Sequence, residues 1–224
     1  MRHHQRILMG LLFIFSTSLA CSLATTKNQP QDVVPASTDN WVSFQSSGAS
    51  IGAPPNDWLL VPQDQAEIGS LYTNMTRFDE SAANVFLGLA AVGATNGYHL
   101  VLMKSDGTAW VTVFSEPVPA ETTLVDFLTS AKEDWQRRGI PILSEREVNL
   151  PMGQATRREI EILVGQSTHW QDNSRADSQA LDRQYQYILQ VGNEIYTLTF
   201  DAQVVDFDDY KPIFQAMALS FSVN

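Results

Sequence analysis

Few side chains in this sequence could ligate a metal or move a proton. Beyond residue 20 there are two histidines, His99 and His169, and a single cysteine, Cys21. His99 lies in a run that reads as a strand, where it is either a sheet histidine with satisfied nitrogens or a general base. One cysteine rules out a thiolate zinc site, and the spacing supplies no partners for a His/carboxylate site. The densest carboxylates are Asp201, Asp206, Asp208 and Asp209, which could hold a hard cation such as calcium through oxygen. They lack the alternating Asp/Asn pattern and central glycine of the familiar calcium loop, and capping of the following helix accounts for three of the four. Asp172, Asn173, Asp177 and Asp182 make a looser set with the same defect. No P-loop glycine-lysine signature and no His-Glu-x-x-His occurs, which argues against the common nucleotide and zincin classes. No catalytic residue, metal or cofactor is assigned.

The segment from Gly165 to Gln184 is the strongest candidate for recognition. It is a polar connection of about 20 residues between two strand-like runs, far beyond the usual 2 to 5 of a hairpin, and such loops are functional or disordered. His169 and Trp170 set an aromatic in this hydrophilic stretch, and aromatics anchor protein interfaces disproportionately. The bland alternative is a Trp170 folded back onto the sheet.

Cys21 carries a different chemistry. Arg2 and Arg6 precede an apolar run from Ile7 to Phe15, then Ser16 to Ser18, then Leu19-Ala20-Cys21. A spanning helix needs roughly 20 apolar residues and a signal-peptide core about 7 to 15, so the run reads as a signal peptide over residues 1–20. The small residue before Cys21 resembles the lipid-attachment site of bacterial lipoproteins, although Ser18 stands where those signals usually carry Leu, Val or Ile. Ser18-Leu19-Ala20 also fits ordinary signal-peptidase release, which would leave an unpaired thiol, whereas thioether attachment to acyl chains gives Cys21 a use. Residues 21–40 show no periodicity and read as a tether, about 25 Å long on average and about 60 Å stretched. The expectation is a domain held by lipid on the extracytoplasmic side of a membrane.

The chain has 14 Lys plus Arg against 25 Asp plus Glu, a net charge of −11, or −13 without Arg2 and Arg6. That argues against nucleic acid and against binding anionic lipid through a basic face. Residues 41–224 are long enough to bury a core without disulfides.

Elements must position these groups, and most read as antiparallel strands. Trp41 to Phe44 and Ala49 to Ile51 bracket Ser46-Ser47-Gly48. Tyr98 to Met103 and Ala109 to Phe114 are joined through Asp106-Gly107, a strong hairpin signal. Ile160, Ile162 and Val164 alternate with Glu159 and Glu161, which predicts one buried and one wet face. Tyr185 to Val191 and Ile195 to Phe200 flank Gly192-Asn193-Glu194. Leu124, Phe127, Leu128, Ala131 and Trp135 share one helical face, capped by Thr122 or Thr123 and ended by Gly139. Phe207, Tyr210, Phe214 and Met217 form a second stripe, with Asp206 as a side-chain cap or, given Pro212, a start nearer Asp209. Ser81 to Ala94 is helix or strand, with helix favoured.

This order predicts an α+β fold, an antiparallel β-sheet flanked by α-helices. The early strand pair, the turn Ile51-Gly52-Ala53-Pro54-Pro55-Asn56-Asp57-Trp58, the hairpin from Tyr187 to Phe200, and Phe214 followed by Ser220-Phe221 resemble the α/β/α sandwich of the PsbP and DcrB families. The resemblance implies a lipoprotein-type, non-catalytic envelope or assembly factor with a protein partner, and it carries no shared catalytic set. The alternative is a small-ligand carrier or an uncharacterised enzyme with a pocket between sheet and helices, lined by Trp58, Trp110 and Tyr98.

Overall fold

Turn chemistry fixes the hairpins. In the computed structural model, which describes residues 33–163 and 181–224, Ser47 and Gly48 both take positive φ (46° and 80°). That two-residue turn matches strand twist and joins β1 (Val42–Ser46) to β2 (Ala49–Ala53). After β3 (Trp58–Leu60), Asp64 and Asp79 cap α1 (Gln65–Met75) and α2 (Glu80–Gly93) through their side chains. The Asp106-Gly107 turn then joins β4 (Tyr98–Lys104) to β5 (Ala109–Pro117). Helix α3 (Leu124–Arg137) starts at a capping box in which Thr123 and Asp126 bond each other's backbone. It is followed by β6 (Ile142–Leu150), β7 (Gly153–Leu163), β8 (Leu181–Val191) and β9 (Glu194–Gln203). The described chain ends with α4 (Phe207–Leu219) and β10 (Ser222–Val223).

Among the described residues, seven strands form one sheet in the order β3-β4-β5-β9-β8-β7-β6, and β1-β2-β10 form a second. Every pairing is antiparallel. One face of the large sheet presents Leu100, Val111, Val113, Leu189, Leu198 and Phe200 to β2 and to Phe207, Phe214 and Met217 of α4. On the other face Val101 and Met103 meet Val85, Phe86 and Leu89 of α2. Ile160 and Ile162 of β7 pack with Ile140 and with Trp135 of α3 on that same face. This is the α+β fold read from the sequence, an antiparallel sheet with helices on both faces.

Three local expectations change. Ile160 and Ile162 of β7 are buried as their alternation with Glu159 and Glu161 predicts, but those glutamates are half-buried rather than wet, and earlier in the strand Arg157 and Arg158 are each buried. Arg158 is stabilised by Glu145 Oε2 at 2.5 Å and the Leu128 carbonyl at 2.8 Å. Arg157 lies over the Tyr185 ring, 4.5 Å from its centroid. Helix α4 starts at Phe207 despite Pro212, and Asp206, its N-cap residue, makes no side-chain capping bond. In the segment read as tether, Ala36 N–H donates to the Pro212 carbonyl at 3.0 Å.

Candidate functional site

The β4–β5 turn organises one end of the sheet. A Cβ added to Gly107 would stand 3.1 Å from Ala82 Cα, so the turn abuts the first turn of α2. Thr108 Oγ1 lies 2.8 Å from the Tyr210 hydroxyl in the first turn of α4. The backbone N–H of Ser105 donates to the Asp57 carbonyl at 2.8 Å, which draws in the start of β3. Within the turn, Asp106 accepts from the Thr108 N–H at 3.0 Å and the Thr108 hydroxyl at 2.6 Å, and pairs with Lys104. Burial acts against the charged form of Asp106, but the hydrogen bonds from Lys104 and Thr108 outweigh it and hold its carboxyl below the usual range. Both helical layers are thus tied to one hairpin tip.

Two large apolar side chains stand in water at this end. Phe78, one residue before the Asp79 cap of α2, is 91% exposed, and Val205, in the connection from β9 to α4, is 83% exposed. The chain also leaves β7 at Leu163 and re-enters β8 at Leu181 here, since those residues pair and Asp182 pairs with Gln203. His169 and Trp170 belong to that connection and lie outside the described residues, as does Cys21.

The carboxylates divide. Asp206, Asp208 and Asp209 sit at the start of α4, where Asp208 pairs with Lys211 at 2.7 Å. That hydrogen bond from Lys211 lowers the Asp208 carboxyl below the usual range. Asp201, by contrast, pairs in register with Trp110 and Gln184 and faces the α2 side of the sheet, away from α4. The four do not converge on one point, and no group of three or more metal-ligating His, Cys, Asp or Glu occurs among the described residues.

His99 sits in a β-bulge. Tyr98 pairs with Phe114 and Leu100 with Val113, leaving His99 as the extra residue, re-aimed toward β1–β2. Its Nδ1 is 2.8 Å from the Ser47 carbonyl oxygen and its Nε2 is 2.7 Å from Ser115 Oγ. Ser115 Oγ in turn donates to Glu194 Oε2 at 2.9 Å, and this bond with one from Tyr196 lowers the Glu194 carboxyl. Both ring nitrogens are occupied, so His99 is a sheet histidine that fastens the β1–β2 turn to β5 and β9. The residues read as lining a pocket between sheet and helices also separate: Trp58 packs in the α4-side core, while Tyr98 and Trp110 pack on the α2 side.

Two features escaped the reading of the sequence. Gly48-Ala49-Ser50-Ile51-Gly52 has the spacing of a hydrolase nucleophile elbow, but Ser50 lies within β2, nine-tenths buried, and its Oγ bonds Ser222 Oγ at 2.8 Å. It is neither on a strand-to-helix turn nor beside a base. The second is a buried polar belt on the α2/α3 face. There Gln184 Nε2 donates to Asp201 Oδ2, and Gln186 Nε2 lies 3.4 Å from Gln184 Oε1. Register alone reveals it, because Gln184, Gln186 and Asp201 share a face only once β8 and β9 are paired. A cleft of about 360 Å³ lies elsewhere, between Ser46, residues 60–64 and Glu67 and Leu71 of α1, and its Asp64 is spent on capping that helix.

No protein-family model matches the chain, and no curated protein matches it. Solved structures to which it is similar include cyanobacterial PsbP (CyanoP) from Synechocystis, at 11% identity, covering 87% of this chain and 96% of that one, with a TM-score of 0.47. A Bacteroides thetaiotaomicron crystal structure shares 12% identity over 81% of this chain and 48% of that one, with a TM-score of 0.43. The chain therefore spans about half of that protein. A Pseudomonas aeruginosa protein of unknown function shares 8% identity over 82% and 97%, with a TM-score of 0.42. At these scores the likeness carries no functional argument, and function is read from the chain's own side chains.

Proposed function

We propose that the chain is a membrane-tethered, non-catalytic bacterial envelope lipoprotein of the PsbP/DcrB kind that binds a protein partner with the β4–β5 end of its sheet. The observation that carries this reading is the exposure of Phe78 and Val205 at that end. A phenylalanine in water gains about 1.5–3 kcal/mol on burial, and aromatic anchors dominate interface energetics. The connection that carries His169 and Trp170, read from the sequence as a recognition segment, leaves β7 and enters β8 at the same end. The N-terminal signal pattern and Cys21 supply the lipid anchor in this reading. Placing a photocrosslinking benzoylphenylalanine at position 78 of the full chain in native membranes tests it. One reproducible protein adduct, present at 78 and absent at Glu121 on the far end of the sheet, is the expected result. Failure to crosslink any protein from either 78 or 205 would sink the proposal.

A second reading draws on the Gln184, Gln186 and Asp201 belt, since a polar patch under helices suits a small polar ligand. Native mass spectrometry of the purified chain separates the two, because a carrier retains a bound small molecule and a docking module does not.

A further inference from the structure

We infer that the partner segment received by the β4–β5 end is cationic and apolar, an inference that rests on the docking role proposed above and names the chemistry of the partner. Two carboxylates, Asp79 and Glu80, open α2, and both are exposed. Three more, Asp206, Asp208 and Asp209, open α4. Asp57 and Asp106 are exposed beside and within the turn that joins these helix starts. Against them stand Arg77, Lys104, Lys211 and Arg183, the last of which is paired with Glu159 and Glu161. Lys104 is held by Asp106, and Lys211 is shared between Asp208 and Glu159, 3.6 Å away on the second. The balance of these named groups is −5, and two helix N-termini offset it by only about half a charge each.

The charge has a direction. The acidic groups lie over β3, β4, β5 and β9, a width of about 14 Å at the usual strand spacing. Arg137 and Arg138, at the C-terminal end of α3, occupy the β6–β7 side of the same end and bond Asp134. Phe78 and Val205 fall on the acidic side, next to the two helix starts. A partner that buries Phe78 must pass these carboxylates. An acidic segment or an anionic membrane surface is repelled, while Lys or Arg beside an apolar side chain meets opposite charge within the roughly 8 Å screening length at physiological salt. Charge complementarity thus selects the occupant, and the exposed aromatic gives it somewhere to seat.

The test uses the full chain in detergent with benzoylphenylalanine at position 78 and two probes, 12-residue peptides of alternating Leu and Lys or Leu and Glu. The Lys peptide should give at least tenfold more adduct than the Glu peptide, and the difference should fall severalfold between 50 and 500 mM salt. A variant carrying Asp79→Asn, Glu80→Gln and Asp106→Asn should lose most of that adduct, while Glu121→Gln at the far end should keep it. Equal labelling by both peptides, labelling by neither, or full labelling of the neutralised variant would each overturn the inference. So would a stronger adduct with vesicles containing anionic lipid than with the Lys peptide. A native-membrane adduct from position 78 to an acidic protein segment would also overturn it, yet would leave the docking role standing.

Discussion

Gly97 is where a single added methyl group should do most harm to the bulge that aims His99. Its φ is +93°, and a Cβ there would stand 2.5 Å from Phe114 Cε2 and 2.7 Å from the Ser115 carbonyl oxygen. Neither neighbour can retreat easily, since the Phe114 ring packs at a tilt against Tyr98, centroids 5.1 Å apart, and Ser115 N–H donates to the Gly97 carbonyl at 2.8 Å. The backbone conformation alone costs a non-glycine residue about 1–2 kcal/mol, and forcing a methyl into packed surroundings adds about 1–3 kcal/mol. Gly97→Ala should therefore destabilise the domain by about 2–5 kcal/mol. Gly139, at φ +71° with nothing within 4 Å of its Cβ position, supplies the control, because Gly139→Ala bears only the conformational part, about 1–2 kcal/mol. Urea unfolding followed by tryptophan fluorescence measures both. With a slope of about 2 kcal/mol/M, the Gly97→Ala midpoint should fall by roughly 1–2.5 M and the Gly139→Ala midpoint by less than about 1 M. Equal shifts in the two variants would refute the steric argument.

Burial pushes the phenols of Tyr98, Tyr185 and Tyr187 up to about 12. Because the folded state keeps them neutral while the unfolded chain ionises near 10, the stability they contribute is intact below pH 10 and drains between 10 and 12 at about 1.4 kcal/mol per pH unit for each group. Ultraviolet titration should show these tyrosines ionising only together with loss of near-ultraviolet circular dichroism. At the acid end, hydrogen bonds from Ser115 and Tyr196 lower the Glu194 carboxyl, so its contribution is present above the usual carboxylate range and lost as pH falls through its lowered value. Ser115→Ala should flatten that acid limb of a stability-versus-pH curve, and an unchanged limb would count against the bond. Phe214, fully buried against Phe200 and Phe207, should cost about 3–5 kcal/mol as Phe214→Ala in the same urea assay.

Local signals read well wherever they were self-sufficient. Asp106-Gly107, the Thr123 cap and the Phe207 to Met217 stripe each carry their own geometry, and each marks a real element boundary or face. The helix over Ser81 to Ala94 was harder, because α2 is apolar nearly all round and so lacks a contrasting polar face. Helix α1 and strand β6 went unread for the opposite reason. Only Ile68 of α1 is buried, and β6 alternates half-buried Ser144 and Arg146 with exposed Glu145 and Glu147, which carries little apolar contrast. The candidate site was less legible than the fold. Phe78 and Val205 look like ordinary apolar residues until the ends of α2 and α4 are brought to one hairpin tip, and that meeting is set by Gly107 and Thr108, far away in the chain. Arg157 and Arg158 show the same limit, since only the strands and helices on both sides reveal that β7 has no wet face.

The strand order also has a consequence in time. Five of the six junctions in the large sheet, all but that of β5 with β9, join strands consecutive in the chain. The β5–β9 junction instead pairs Pro117 with Glu194, closing a loop of about 77 residues. Closing it costs about 2 kcal/mol more entropy than closing a five-residue hairpin. The loop-closure cost therefore falls on the union of two hairpin arrays along β5–β9. A chain stalled before that step exposes two open strands lined with Val111, Val113, Leu198 and Phe200, which makes this seam the place where aggregation competes with folding.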